Sequence, residues 1–159
     1  MQMPKYEKIW LAVGGGALFV FLLVTGILAV VMGLNPPNGM ATTALPEKVD
    51  TTAPFDQPDI KQVGPNEFEA TIVSFVFGYN PNVITIPQGA TVHFKMTTKD
   101  VVHGFHIPGT PVNAMLVPGH VAEYTHTFDE PGEYLIVCHE YCGIGHQLMY
   151  GQLIVEETA

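Results

Sequence analysis

GEYLIVCHEYCGIGHQLMYGQLIVEE, from Gly132 to Glu157, is two apolar runs with a chemically distinctive loop between them. GEYLIVC and YGQLIVEE are rich in Tyr, Leu, Ile and Val and have strand length, so both read as β-strands. The loop holds both cysteines of the chain, Cys138 and Cys142, followed at once by His146 and Met149. The same pattern of runs continues upstream. EFEATIVSFVFGY, NVITIPQG, ATVHFKMTT and HVAEYTHTF are separated by Gly and Pro. Six or seven strands at roughly ten-residue spacing predict an all-β domain, an antiparallel sandwich or small barrel. Within one run Val92, Phe94 and Met96 alternate with Thr91, His93 and Lys95, as one buried and one wet face require. No stretch of this half reads as a long amphipathic helix, and there is no internal repeat.

Ahead of that domain, Ile9 to Leu34 carries no charged residue and exceeds the roughly 20 residues that a membrane span needs. It reads as one transmembrane helix, too long for the apolar core of a cleaved signal. Lys5 and Lys8 flank its N-terminal end and Trp10 sits at an interfacial position. The positive-inside tendency then places residues 1–8 in the cytoplasm, with everything after the span outside the cell or in the periplasm. Gly14, Gly15 and Gly16 fit either ordinary membrane-helix composition or close packing on a neighbouring helix. Residues 35–62, rich in Pro, Thr and Asn, read as an extended linker to a domain over 63–159.

Fifteen acidic residues stand against six lysines and no arginine, a formal net charge of −9. Phosphate neutralisation needs clustered Lys or Arg, so nucleic acid is excluded as a partner. The same acidity would attract a basic protein and speed its encounter.

The loop supports several chemistries. A Cys138–Cys142 disulfide fits an oxidising compartment, but it would close too short a loop to remove much chain entropy and leaves the neighbours unexplained. A zinc site could use both thiols, His146 and another histidine. Zinc has no need of Met149, whereas a thioether with imidazole and thiolate ligands is the mark of copper electron-transfer sites. Without Cys138, the set His103, Cys142, His146 and Met149 describes one copper. With Cys138, two thiolates can each bridge two metals, one histidine can serve each copper, and Met149 and a backbone carbonyl can fill the weak positions. Gly143 and Gly145 suit a tightly wrapped loop.

CHEYCGIGHQLM resembles the C-x-E-x-C-G-x-G/N-H-x-x-M motif of the dinuclear copper (CuA) domain of cytochrome c oxidase subunit II. DVVHGFHIPG, from Asp100 to Gly109, resembles the D-V-x-H segment that supplies that domain's upstream histidine. The likeness runs through SFVFGYNPNVITIPQGATVHF and PGEYLIVC, and a single N-terminal span matches the ba3-type subunit. The resemblance implies a cupredoxin-like Greek-key β-sandwich or barrel. It makes Cys138 and Cys142 bridging thiolates, His103 and His146 terminal ligands, and Met149 and the Glu140 carbonyl weak ligands. It assigns ligation to His103 in preference to His106, which is left a supporting role. The Glu140 carboxylate matches a magnesium ligand of many relatives, but a lone glutamate is a weak metal signal and the reading goes against magnesium.

Phe75, Phe77 and Tyr79 recur with period two and read by default as core packing. The resemblance also places Phe77 in an apolar patch that receives cytochrome c, with Phe75 and Tyr79 as its neighbours. The function implied is electron input to a haem-copper oxidase. Cytochrome c would donate to dinuclear copper, which would pass electrons to haem in the catalytic subunit I, where O₂ becomes water and protons are pumped. A nitric oxide reductase subunit, or a membrane-anchored copper chaperone or thiol reductase, are the alternatives.

Overall fold

The computed structural model describes residues 3–32 and 43–158. Leu34 and residues 35–42, which include the end of the expected span and the start of the expected linker, lie outside the described residues.

The chain begins with one helix, α1 (Lys5–Val31, 27 residues). At 1.5 Å per residue it is about 40 Å long, and it is apolar enough to cross a membrane. None of its residues is buried. Its one hydroxyl inside the apolar stretch is satisfied within the helix, because Thr25 Oγ1 donates to the Phe21 carbonyl at 2.8 Å.

The second unit is all-β, with short 3₁₀ turns. Its strands are β1 (Thr43–Ala44), β2 (Ile60–Gly64), β3 (Glu67–Phe75), β4 (Gly78–Asn80), β5 (Val83–Pro87) and β6 (Ala90–Thr98). There follow β7 (His103–His106), β8 (Asn113–Leu116), β9 (Gly119–His120), β10 (Ala122–Phe128), β11 (Gly132–Val137) and β12 (Tyr150–Glu156). One sheet has the order β10-β6-β3-β2, with β4 folded back on β3; the other has the order β5-β12-β11-β7-β8. The sheets are mixed and not wholly antiparallel as the strand pattern predicts. β3 runs parallel to β6, and β5 runs parallel to β12. A run of strands carries no direction in its side-chain alternation, so this pairing is set only by how the connections cross.

The core lies between the sheets. β6 buries Val92, Phe94 and Met96 and leaves Thr91, His93 and Lys95 half-buried, as its alternation predicts. Phe94 meets Phe105 of the opposite sheet with ring centroids 5.5 Å apart, and Ile84, Ile86, Ile136 and Leu153 fill the space around them.

The described part of the expected linker departs from an extended segment. Pro46–Thr51 forms a 3₁₀ turn, β1 pairs with β9, and Ala44, Val49 and Phe55 bury a small second core with Val73 and Val121. Lys99 ties this strap to the domain through Asp50 at 3.2 Å. The strap escapes a periodicity reading because its apolar residues are irregularly spaced and their partners, Val73 and Val121, lie far away in sequence. Phe55→Ala should therefore destabilise the domain by about 3–5 kcal/mol, the usual cost of deleting a buried phenyl ring. Chemical denaturation would measure it; an unchanged midpoint would mean that the strap is not part of the folded unit.

Candidate metal centre

β11 and β12 are antiparallel neighbours whose final register pair is Val137 opposite Tyr150. That pair closes the base of the loop, so Cys138 leaves one strand while Met149 is about to enter the other. A 3₁₀ turn over His146–Leu148 folds the returning arm. β7 lies beside β11 with His106 opposite Val137, which carries His103 along the outgoing arm.

This framework gathers the predicted ligands. The sulfurs of Cys138 and Cys142 are 4.0 Å apart. That is twice a disulfide bond of about 2.05 Å, and both thiols are free. It is also less than two metal–thiolate bonds of about 2.3 Å, so one ion can bond both sulfurs. Around Cys138 Sγ stand His103 Nδ1 at 4.0 Å and the Glu140 carbonyl at 3.2 Å. Around Cys142 Sγ stand His146 Nδ1 at 3.5 Å and Met149 Sδ at 3.6 Å. Each predicted donor is thus within 4.0 Å of one sulfur or the other, with a histidine on each side. His103, Cys142 and Met149 are buried, while Cys138 and His146 are half-buried.

The electrostatics suit a cation. Burial, reinforced by the neighbouring Cys138, pushes the Cys142 thiol up to about 11. A buried thiol beside a half-buried one, with thioether and imidazole neighbours, is a donor set that a soft metal ion suits. His103 Nε2 lies 2.8 Å from Asp100 Oδ1. With Nε2–H donating to that carboxylate, the Nδ1 lone pair is left facing the thiol. Burial opposes ionisation of Asp100, but the hydrogen bond from His103 and the N–H groups of Val76 and Val101 outweigh it and hold the carboxyl below its usual range.

His103, Cys138 and Cys142 form the one His/Cys/Asp/Glu group among the described residues that is compact enough to hold a metal. His106 stands apart, with Nδ1 3.0 Å from the Val112 carbonyl and its ring beside His139. The Glu140 carboxylate lies 3.3 Å from His139 Nδ1 and is outside that group.

The aromatic trio is divided by the fold. Phe75 ends β3, Phe77 lies in the turn, and Tyr79 returns on β4, so the three do not share a strand face. Tyr79 is only 3% exposed and belongs to the core, which corrects its assignment to a docking surface. Phe77 is 37% exposed, and its ring covers the ligand loop so closely that a Cβ on Gly145 would come within 2.5 Å of it. Period two fails here because the chain reverses between Phe75 and Tyr79. Asp100, whose carboxylate holds His103, is a residue that motif reading left without a role. Its position three residues before His103 is the signal that could have found it.

A profile of the family described as cytochrome c oxidase subunit II, periplasmic domain, matches residues 67–158. Cytochrome c oxidase subunit 2 of Thermus thermophilus is 43% identical over 155 residues, covering 96% of this chain and 92% of the relative. A second sequence of that name from the same species is 44% identical over 123 residues, covering 76% of this chain and 91% of its own length. Among solved structures, a chain of a heme-copper terminal oxidase dimer superposes with a TM-score of 0.80 at 32% identity, covering 96% of this chain and all of that one. Family profile, full-length likeness and the geometry of the loop agree, and the chain belongs to the cytochrome c oxidase subunit II family.

Proposed function

We propose that this chain is the electron-input subunit of a haem-copper terminal oxidase. On this reading it takes electrons from a cytochrome c outside the membrane and delivers them to haem in the catalytic subunit, where O₂ is reduced to water and protons are pumped. α1 anchors it beside that subunit, with Lys5 and Lys8 on the cytoplasmic side. The observation that carries the reading is the pair of free sulfurs 4.0 Å apart, with each predicted donor beside one of them.

A pair of copper ions held there would supply one-electron redox chemistry delocalised over two sulfurs. The chain's own residues do the rest. Cys138 and Cys142 offer thiolates from one loop, and His103 and His146 offer Nδ1 from opposite sides. Met149 and the Glu140 carbonyl are the weak donors. The ladder pair at the loop base and the Asp100 hydrogen bond hold these donors in one geometry, so little rearrangement accompanies a change of charge. A thioredoxin-like thiol reductase is disfavoured by a described domain that is all-β.

Phe77 gives an incoming donor a route to the loop, since its ring is in part exposed and rests on Gly143 and Gly145. Ile144 at the loop tip is 90% exposed and widens the apolar contact. Acidic side chains elsewhere on the surface would steer a basic haem protein toward it.

Three outcomes follow from this reading. The purified full-length chain loaded with copper should be purple and hold two coppers, with an electron paramagnetic resonance signal of one spin shared by both nuclei. Cys138→Ser and Cys142→Ser should each abolish that signal, and a colourless parent protein holding one copper would refute the assignment. Copper binding must displace the Cys142 proton, so apparent affinity should rise about tenfold per pH unit from this group at every pH below about 11. Chelator competition across roughly pH 6 to 9 would measure the slope, and a flat profile would count against thiolate ligation. Phe77→Asp should slow oxidation of reduced cytochrome c severalfold and leave the copper spectrum unchanged; stopped-flow rates equal to the parent's would remove Phe77 from the docking surface.

A further inference from the structure

Tyr79 is a buried phenol beside the thiols with no part in the ligand set. Its hydroxyl donates to the Gly104 carbonyl at 2.6 Å. Its ring packs edge-on against Phe105, with centroids 5.6 Å apart. Gly104 in turn donates its N–H to Cys138 Sγ at 3.3 Å. The two polar groups of one glycine thus connect a core tyrosine to a bridging sulfur.

Gly104 needs such a connection for two reasons. No side chain can fix it, because a Cβ there would lie 2.6 Å from the backbone nitrogen of His139, and glycine is the residue with the freest backbone. The register between β11 and β7 is also a single pair, Val137 with His106. β8 pairs with the other edge of β7, Gly104 opposite Met115, but beyond the Val137 pair the edge that faces the ligand loop meets no strand among the described residues. The Cys138 sulfur and the Tyr79 hydroxyl take the places that a strand's carbonyl and N–H would fill.

We infer that Tyr79 is a positioning residue for the metal centre: by holding the Gly104 carbonyl it keeps the Gly104 N–H aimed at the Cys138 sulfur, and so favours the reduced centre. The inference rests on the copper reading above. An N–H dipole pointed at a thiolate stabilises whichever redox state places more negative charge on the sulfur, which is the reduced one.

The test uses the copper-loaded full chain in detergent. Tyr79→Phe keeps the ring that packs on Phe105 and removes only the hydroxyl. It should retain both coppers yet shift the redox equilibrium with a one-electron mediator about fivefold toward the oxidised form, the size expected from one neutral hydrogen bond. A ring-fluorinated tyrosine at the same position, a stronger donor, should shift it the other way. This second variant also carries the test if Tyr79→Phe fails to fold. In the metal-free protein, hydrogen exchange at the Gly104 amide should quicken severalfold in Tyr79→Phe. A parent chain that binds no copper pair refutes the copper reading alone, since the exchange measurement still reads the contact. Normal copper loading with the parent's potential in both variants, or unchanged Gly104 exchange, overturns the role of Tyr79.

Discussion

The antiparallel ladder between β11 and β12 is the constraint on which the site depends. Its last register pair, Val137 with Tyr150, holds the two ends of the ligand loop side by side. Pinning the base removes the closure part of the entropy cost of bringing Cys138, Cys142, His146 and Met149 together. The same ladder presents Val137 to β7, and that contact delivers His103 from a distant part of the chain. Thirty-five positions separate His103 from Cys138, yet their donor atoms lie 4.0 Å apart.

Close approach on that edge dictates the small residues around the site. Gly104 passes His139 with no room for a Cβ, and Gly145 lies under the ring of Phe77 in the same way. The loop is thereby clamped between β7 on one side and the β3–β4 turn on the other. Asp100 joins these two clamps. One of its oxygens takes the hydrogen bond from His103, and the other accepts the Val76 N–H next to Phe77. The partly exposed ring and the buried His103 are in this way braced by a single carboxylate.

Cys142 and Met149 are buried and Cys138 is half-buried, which suits neutral thiols and a thioether, since these pack like small apolar groups. Burial raises the Cys142 thiol above its usual range, so it keeps its proton until a cation is present. Binding a metal there would release that proton and tie the loop to the sheet. His103, Cys142 and Met149 are buried in the sandwich, so protein groups more than solvent set the environment on that side of the site.

Much of this was legible in the residues themselves. The uncharged run of α1, the alternation on β6 and the crowding of soft donors between two strand-like runs each follow from local periodicity or local chemistry, which the chain carries without reference to its fold. The choice of His103 over His106 came from family likeness, since spacing cannot distinguish two histidines on one short segment; the register of β7 with β11 is what separates them in space. The parallel pairings, the strap over Val73 and Val121, and the burial of Tyr79 were not legible. Each depends on partners far away in sequence, and a turn between Phe75 and Tyr79 is enough to undo a period-two reading. Composition and motif pointed to a loop of soft donors carried on a strand framework; only the tertiary structure decided which surfaces those strands turn inward, because direction and register are settled by long-range packing and not by the alternation of side chains.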